Sequence, residues 1–132
     1  MKKDIPIAEV TNLQLAFVRE YNSDFKGYDW NVYLVNPSKE SLEMILIVIN
    51  GYDAAHKTAV TRHKIEKLPA QTVAKIEYIP DELLALTNRF RISFFLNNTL
   101  HEKDFSIEKD TISEAKAKEL SLFNTSLGFL FD

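Results

Sequence analysis

At 132 residues, 45% of them hydrophobic and 27% charged, the chain is about one domain long and has ordinary globular composition. It contains no cysteine, which excludes disulfide staples and thiolate metal sites, and a domain of this size buries enough surface to fold without them. A formal charge of −3 argues against a general nucleic-acid binder.

The N-terminal M-K-K-D-I-P-I-A-E lacks the apolar stretch of a secretion signal, and the longest apolar run, Met44 to Ile49, is too short to cross a bilayer. The expectation is a single cytoplasmic domain over 1–132, with no membrane segment. Within it, 110–132 forms a C-terminal helical and apolar extension.

Period-two alternation, broken by turn residues about every 8 to 12 positions, predicts a mainly β protein: an immunoglobulin-like antiparallel sandwich of about seven strands. The first strand runs near Leu13 to Tyr21, with Leu13, Leu15 and Phe17 on one face. The second, Asp29 to Asn36, turns Trp30, Val32 and Leu34 inward. N-P-S-K-E-S is a turn, since Pro37 sets its own φ and Asn36 and the serines bond locally to the backbone. The third strand, Ser41 to Gly51, is expected to pair with the second and to end at the left-handed signal Asn50-Gly51.

Lys57 to Ile65 reads as a fourth strand and Thr72 to Ile79 as a fifth. P-D-E-L-L-A-L-T, with proline at the start and two acids in the first turn, predicts a short helix crossing between the sheets. The sixth and seventh strands flank Asn97-Asn98-Thr99, a tight hairpin because asparagine tolerates positive φ. Phe90, Ile92, Phe94 and Leu96 supply an inward row. Ile112 to Phe123 reads as a short C-terminal helix with Asp110 or Ser113 as its cap.

The third strand is apolar on both faces: Leu42, Met44, Leu46 and Val48 in one row, Ile45, Ile47 and Ile49 in the other. With Tyr33 and Val35 from the expected neighbour, the isoleucine row forms an interaction patch. Three isoleucines left in water would forgo roughly 1.5 to 3 kcal/mol each, a sum comparable with the stability of a whole domain. Something must cover them. The alternatives are the apolar tail from Leu120 to Phe131, a second subunit or protein partner, or tails exchanged between two chains.

Three further features carry chemistry only weakly. Lys57, Arg62, Lys64 and Lys67 gather four cations against Glu66 and could contact phosphate, although no aromatic residue interleaves them to stack on a base; an edge strand kept unpaired by its lysines accounts for them better. Asp53 and His56 share a loop at a spacing that suits a metal ligand pair or a small-ligand site. His63 reads as a cross-strand contact, and His101-Glu102 lacks the second histidine of a zinc-protease helix. No nucleophile elbow, glycine-rich phosphate loop or cofactor motif occurs, so catalytic residues and cofactors are expected to be none.

Taken together, W-N-V-Y-L-V-N, L-E-M-I-L-I-V, G-Y-D, K-T-A-V-T-R-H and L-P-A-Q-T-V-A-K-I-E resemble a small bacterial family whose members are often labelled phenylalanyl-tRNA synthetase alpha subunit. The resemblance spans roughly Trp30 to Ile107. It implies a small cytoplasmic β-sandwich. It carries over no catalytic residue, because a synthetase catalytic subunit is a much larger α+β domain with an arginine-bearing ATP motif and a glycine-rich segment, and neither occurs here. The resulting expectation is a non-enzymatic interaction module, binding itself or another protein. The alternatives are an accessory RNA-binding factor using the basic strand and a ligand or metal site at the 51–56 loop.

Overall fold

The computed structural model describes the backbone of residues 7–9 and the chain from Leu13 to Asp132; residues 1–6, where the N-terminal signal was assessed, lie outside the described residues. Two five-stranded sheets pack face to face. The first joins β1 (Ile7–Glu9), β8 (Thr99–Ile107), β7 (Thr87–Leu96), β4 (Leu42–Tyr52) and β5 (Thr61–Leu68), in that order. The second joins β6 (Thr72–Ile79), β3 (Gly27–Asn36), β2 (Gln14–Asn22), β10 (Ser126–Phe131) and β9 (Lys118–Leu120). All pairings are antiparallel except that of β1 with β8.

Alternation places the core where expected. Leu15 pairs with Leu34 and Phe17 with Val32 across β2 and β3, and these four side chains pack on Phe90, Ile92 and Phe94 of β7. Phe17 meets Phe90 edge to face at 5.9 Å, a geometry that aromatic quadrupoles favour. The Asn97-Asn98 turn has φ of 51° and 63° at its two centres, as a two-residue hairpin requires. The helix α1 (Asp81–Leu84) is one turn long and lies between β6 of the second sheet and β7 of the first.

Three expectations are corrected. First, β3 and β4 do not pair; the chain leaves one sheet for the other at residues 37–41. Asn36 explains the crossing. It is buried, its amide donates to the carbonyls of Glu40, Leu68 and Pro69 at 2.9, 3.2 and 3.1 Å, and its side-chain oxygen accepts from the Ser38 hydroxyl at 2.7 Å. A side chain so committed folds the turn over the end of the sandwich, where a hairpin would have needed the backbone of 37–41 for itself. Second, Asn50-Gly51 does not end β4, which runs on to Tyr52 without positive φ at Gly51, and β5 begins at Thr61 after a loop that includes Lys57.

Third, residues 112–123 are not a helix. Two single 3-10 turns, at Glu114–Lys116 and Ser121–Phe123, flank β9, and β10 follows. The tail belongs to the sandwich itself. Phe129 and Phe131 pack on the core, while Leu120 and Phe123 fold across the outer face of the second sheet onto Ala16, Val18, Tyr33 and Val35.

Candidate functional site

β4 decides which surfaces are available. Its pairing with β7 shifts register between Glu43 and Leu46, and Met44 takes a φ of 51°. This is a β-bulge, and it inserts one residue into the alternation. Leu42 and Ile45 therefore both face the core, followed by Ile47 and Ile49. The row expected outside is inside: Ile45 and Ile47 are 0% exposed, whereas Met44 and Leu46 are 56% and 41% exposed.

The expected interaction patch accordingly does not exist as one surface. Ile45, Ile47 and Ile49 belong to the core, and Tyr33 and Val35 lie on the outer face of the opposite sheet beneath Phe123. The Tyr33 ring sits 4.9 Å from that of Phe123, and its hydroxyl donates to Glu20 Oε1 at 2.7 Å. Burial first, and the Glu20 carboxylate second, push the Tyr33 pKa up to about 12.

A tyrosine favoured in its neutral form when folded stabilises the protein fully below its unfolded pKa of about 10. That contribution is lost as pH rises through about 12. Stability should therefore fall between these two pH values, and Tyr33→Phe should flatten that part of the curve; urea melts at several alkaline pH values would show it, and an unchanged slope in the variant would contradict it.

The outer face of the first sheet is built differently. Across β8, β7, β4 and the edge strand β5 the register aligns Asp104, Arg91, Val48 and Arg62 in one row and Glu102, Ser93, Leu46 and Lys64 in the next. Seven of these eight residues, all but Lys64, line a shallow concavity of about 400 Å³. Leu46 and Val48 on β4 and Ser93 and Arg91 on β7 hold the middle, cations the β5 side and acids the β8 side. Asp104 is held by Arg89 at 2.6 Å, and that hydrogen bond, then the charge, raises the Arg89 pKa. Arg62, Lys64 and Arg91 make no ion pair among the described residues.

Of the residues read as phosphate contacts, Arg62 and Lys64 come together on this face. Lys67 stands opposite Glu43 at its end, and Lys57 lies apart in a loop bridged to Tyr52. His63 points inward and reaches Glu77 across the gap between the sheets, Nε2 to Oε1 2.8 Å, a contact between sheets where one between paired strands was expected. Asp53 and His56 do meet, at 3.1 Å, but the same carboxylate oxygen accepts from the backbone N–H groups of Ala55 and His56 at 2.8 and 2.7 Å. That is a turn-forming aspartate. No third metal-ligating side chain joins the pair among the described residues.

A second concavity, about 630 Å³, lies at the end of the sandwich beside the β2–β3 hairpin. Arg19 forms part of its wall, with its guanidinium 5.3 Å from the Tyr28 ring, 5.5 Å from the Trp30 ring and 3.0 Å from Glu114. The cation is thus already neutralised and stacked. Sequence reasoning missed this arrangement, since Glu114 falls inside the helix expected over Ile112 to Phe123 and stands instead in a single 3-10 turn.

No family model matches the chain, and comparison with curated proteins and with solved structures gives no match. Among the described residues, no helix is long and apolar enough to cross a membrane.

Proposed function

We propose that the protein is a non-enzymatic interaction module that binds protein through the outer face of its β5-β4-β7-β8 sheet, centred on Leu46 and Val48. One contrast carries the reading. Both sheets are apolar on part of their outer face; on the β2-β3 side Leu120 and Phe123 cover Ala16, Val18 and Val35 and leave Leu122 and Leu130 of the tail exposed, while on β4 Met44 and Leu46 stay open to solvent between a basic and an acidic strand. An apolar centre rimmed by charge is the anatomy of a protein interface. The finer fold reading is immunoglobulin-like, supported by β2, β3 and β6 facing β5, β4, β7 and β8 with the connections crossing between them.

A photo-crosslinking residue at position 46 tests the reading, with position 24, exposed in the β2–β3 turn of the other sheet, as control. Adducts are expected from 46 and not from 24. Equal or absent adducts at the two positions would dismiss it.

A further inference from the structure

We infer that the occupant of this face is a second copy of the chain, related by a two-fold axis that runs along the strands between β4 and β7. The inference rests on the interaction reading above and names its partner. Its ground is the order of charge across the sheet. A two-fold interface places the same patch on both subunits, so the patch must complement its own rotated image.

Two in-plane axes are open to two stacked sheets, and they differ sharply. An axis across the strands returns each strand to its own image, bringing Arg62 and Lys64 of one copy against the same cations of the other. An axis along the strands exchanges the two sides of the sheet while keeping each row at its own level. Each Arg62 then faces the partner's Asp104, and each Lys64 faces the partner's Glu102. The rows are already in register for this, since Arg62, Val48, Arg91 and Asp104 lie abreast, as do Lys64, Leu46, Ser93 and Glu102.

The dimensions agree. β5 and β8 stand three strand spacings apart, about 14 Å, leaving the middle of the contact to β4 and β7, where Leu46 meets the partner's Ser93 and Val48 meets the partner's Arg91. Arg91 is cross-strand to its own Asp104, which Arg89 already holds on the other side, so the carboxylate sits among cations from both copies. The charged pairs are at the rim and partly wet, which sets register and orientation more than strength. The dimer is therefore weak and salt-sensitive.

Charge reversal supplies the test. By sedimentation at low salt, the chain should self-associate with concentration, and Lys64→Glu or Glu102→Lys alone should weaken association at least tenfold, each variant placing two like-charged pairs in the interface. An equimolar mixture of the two variants should recover it, because every pair in the mixed dimer is again opposite in sign. Both positions are exposed, and circular dichroism would verify their folding.

A chain that stays monomeric at all concentrations, a dimer indifferent to both reversals, or a mixture no better than its components would overturn the inference. The crosslink at position 46 separates this failure from failure of the interaction reading. Adducts of foreign mass from a monomeric chain would retain the module and remove the second copy.

Discussion

Ile47→Lys is expected to unfold the protein, whereas Leu46→Lys, one residue away, should leave it folded. The two side chains stand on opposite faces of β4, with Ile47 fully buried opposite Ile92 and Leu46 open to solvent. Truncating a buried isoleucine alone costs about 2 to 5 kcal/mol. Placing an ammonium in the same space adds a desolvation penalty that no neighbour offsets. Against a total stability of about 5 to 15 kcal/mol, the sum leaves little native population. The exposed substitution falls in the range of about ±0.5 kcal/mol usual for surfaces. Thermal melts by circular dichroism distinguish the cases; equal melting temperatures for the two variants would contradict the phase that the Met44 bulge gives this strand.

The second large effect is expected at Gly128. This residue lies buried in β10, opposite Val18 of β2 and Lys118 of β9. A Cβ built there collides with the carbonyl oxygen of Phe17 and stands 2.7 Å from Leu120 Cδ1. The first obstacle is backbone in the middle of a sheet and cannot swing aside. Gly128→Val should therefore detach β10 from β2, withdraw Phe129 and Phe131 from the core, and cost about 3 kcal/mol or more. Hydrogen exchange would show amides of β9 and β10 losing protection first. If they remained as protected as in the parent chain, the close approach at Gly128 would not be what sets the strand's position.

Much of the fold was legible where alternation was clean. Leu13, Leu15 and Phe17, then Trp30, Val32 and Leu34, and the row from Phe90 to Phe94 each had polar or outward neighbours to fix their phase, and all face the core. The Asn97-Asn98 turn and the one-turn helix after Pro80 were readable from local stereochemistry alone.

The third strand was not legible, for a physical reason. When both rows of a strand are apolar, the pattern carries no phase. A bulge then exchanges the faces with no trace in composition, so a surface site deduced from Ile45, Ile47 and Ile49 was a deduction about the core. The crossing at residues 36–41 was not legible either: Asn36 makes the local bonds to Ser38 and Glu40 that its turn chemistry announces, but its amide also reaches the carbonyls of Leu68 and Pro69, which local sequence does not announce.

The tail failed differently. L-S-L-F and S-L-G-F-L-F have the apolar content of a helix or a strand, and only the empty place beside β2 decides between them. The charges of the proposed interface were legible singly. Arg62, Lys64, Glu102 and Asp104 all fall within expected strands, but their alignment in rows depends on a strand order that sequence does not contain.

The partnership of β10 with β2 bears on how the chain comes to be made. Gln14 bonds to the Asp132 carboxylate at 2.6 Å, and Leu15 pairs with Phe131, so the first long strand waits for the last. During synthesis β2, β3 and β6 can assemble, yet Ala16 and Val18 keep an unpaired edge and an uncovered face until residue 131 has cleared the ribosome. Nascent-chain edges of this kind are where chaperones bind and where aggregation begins. Completion of the second sheet is accordingly the last step in its assembly, however early β2 is made.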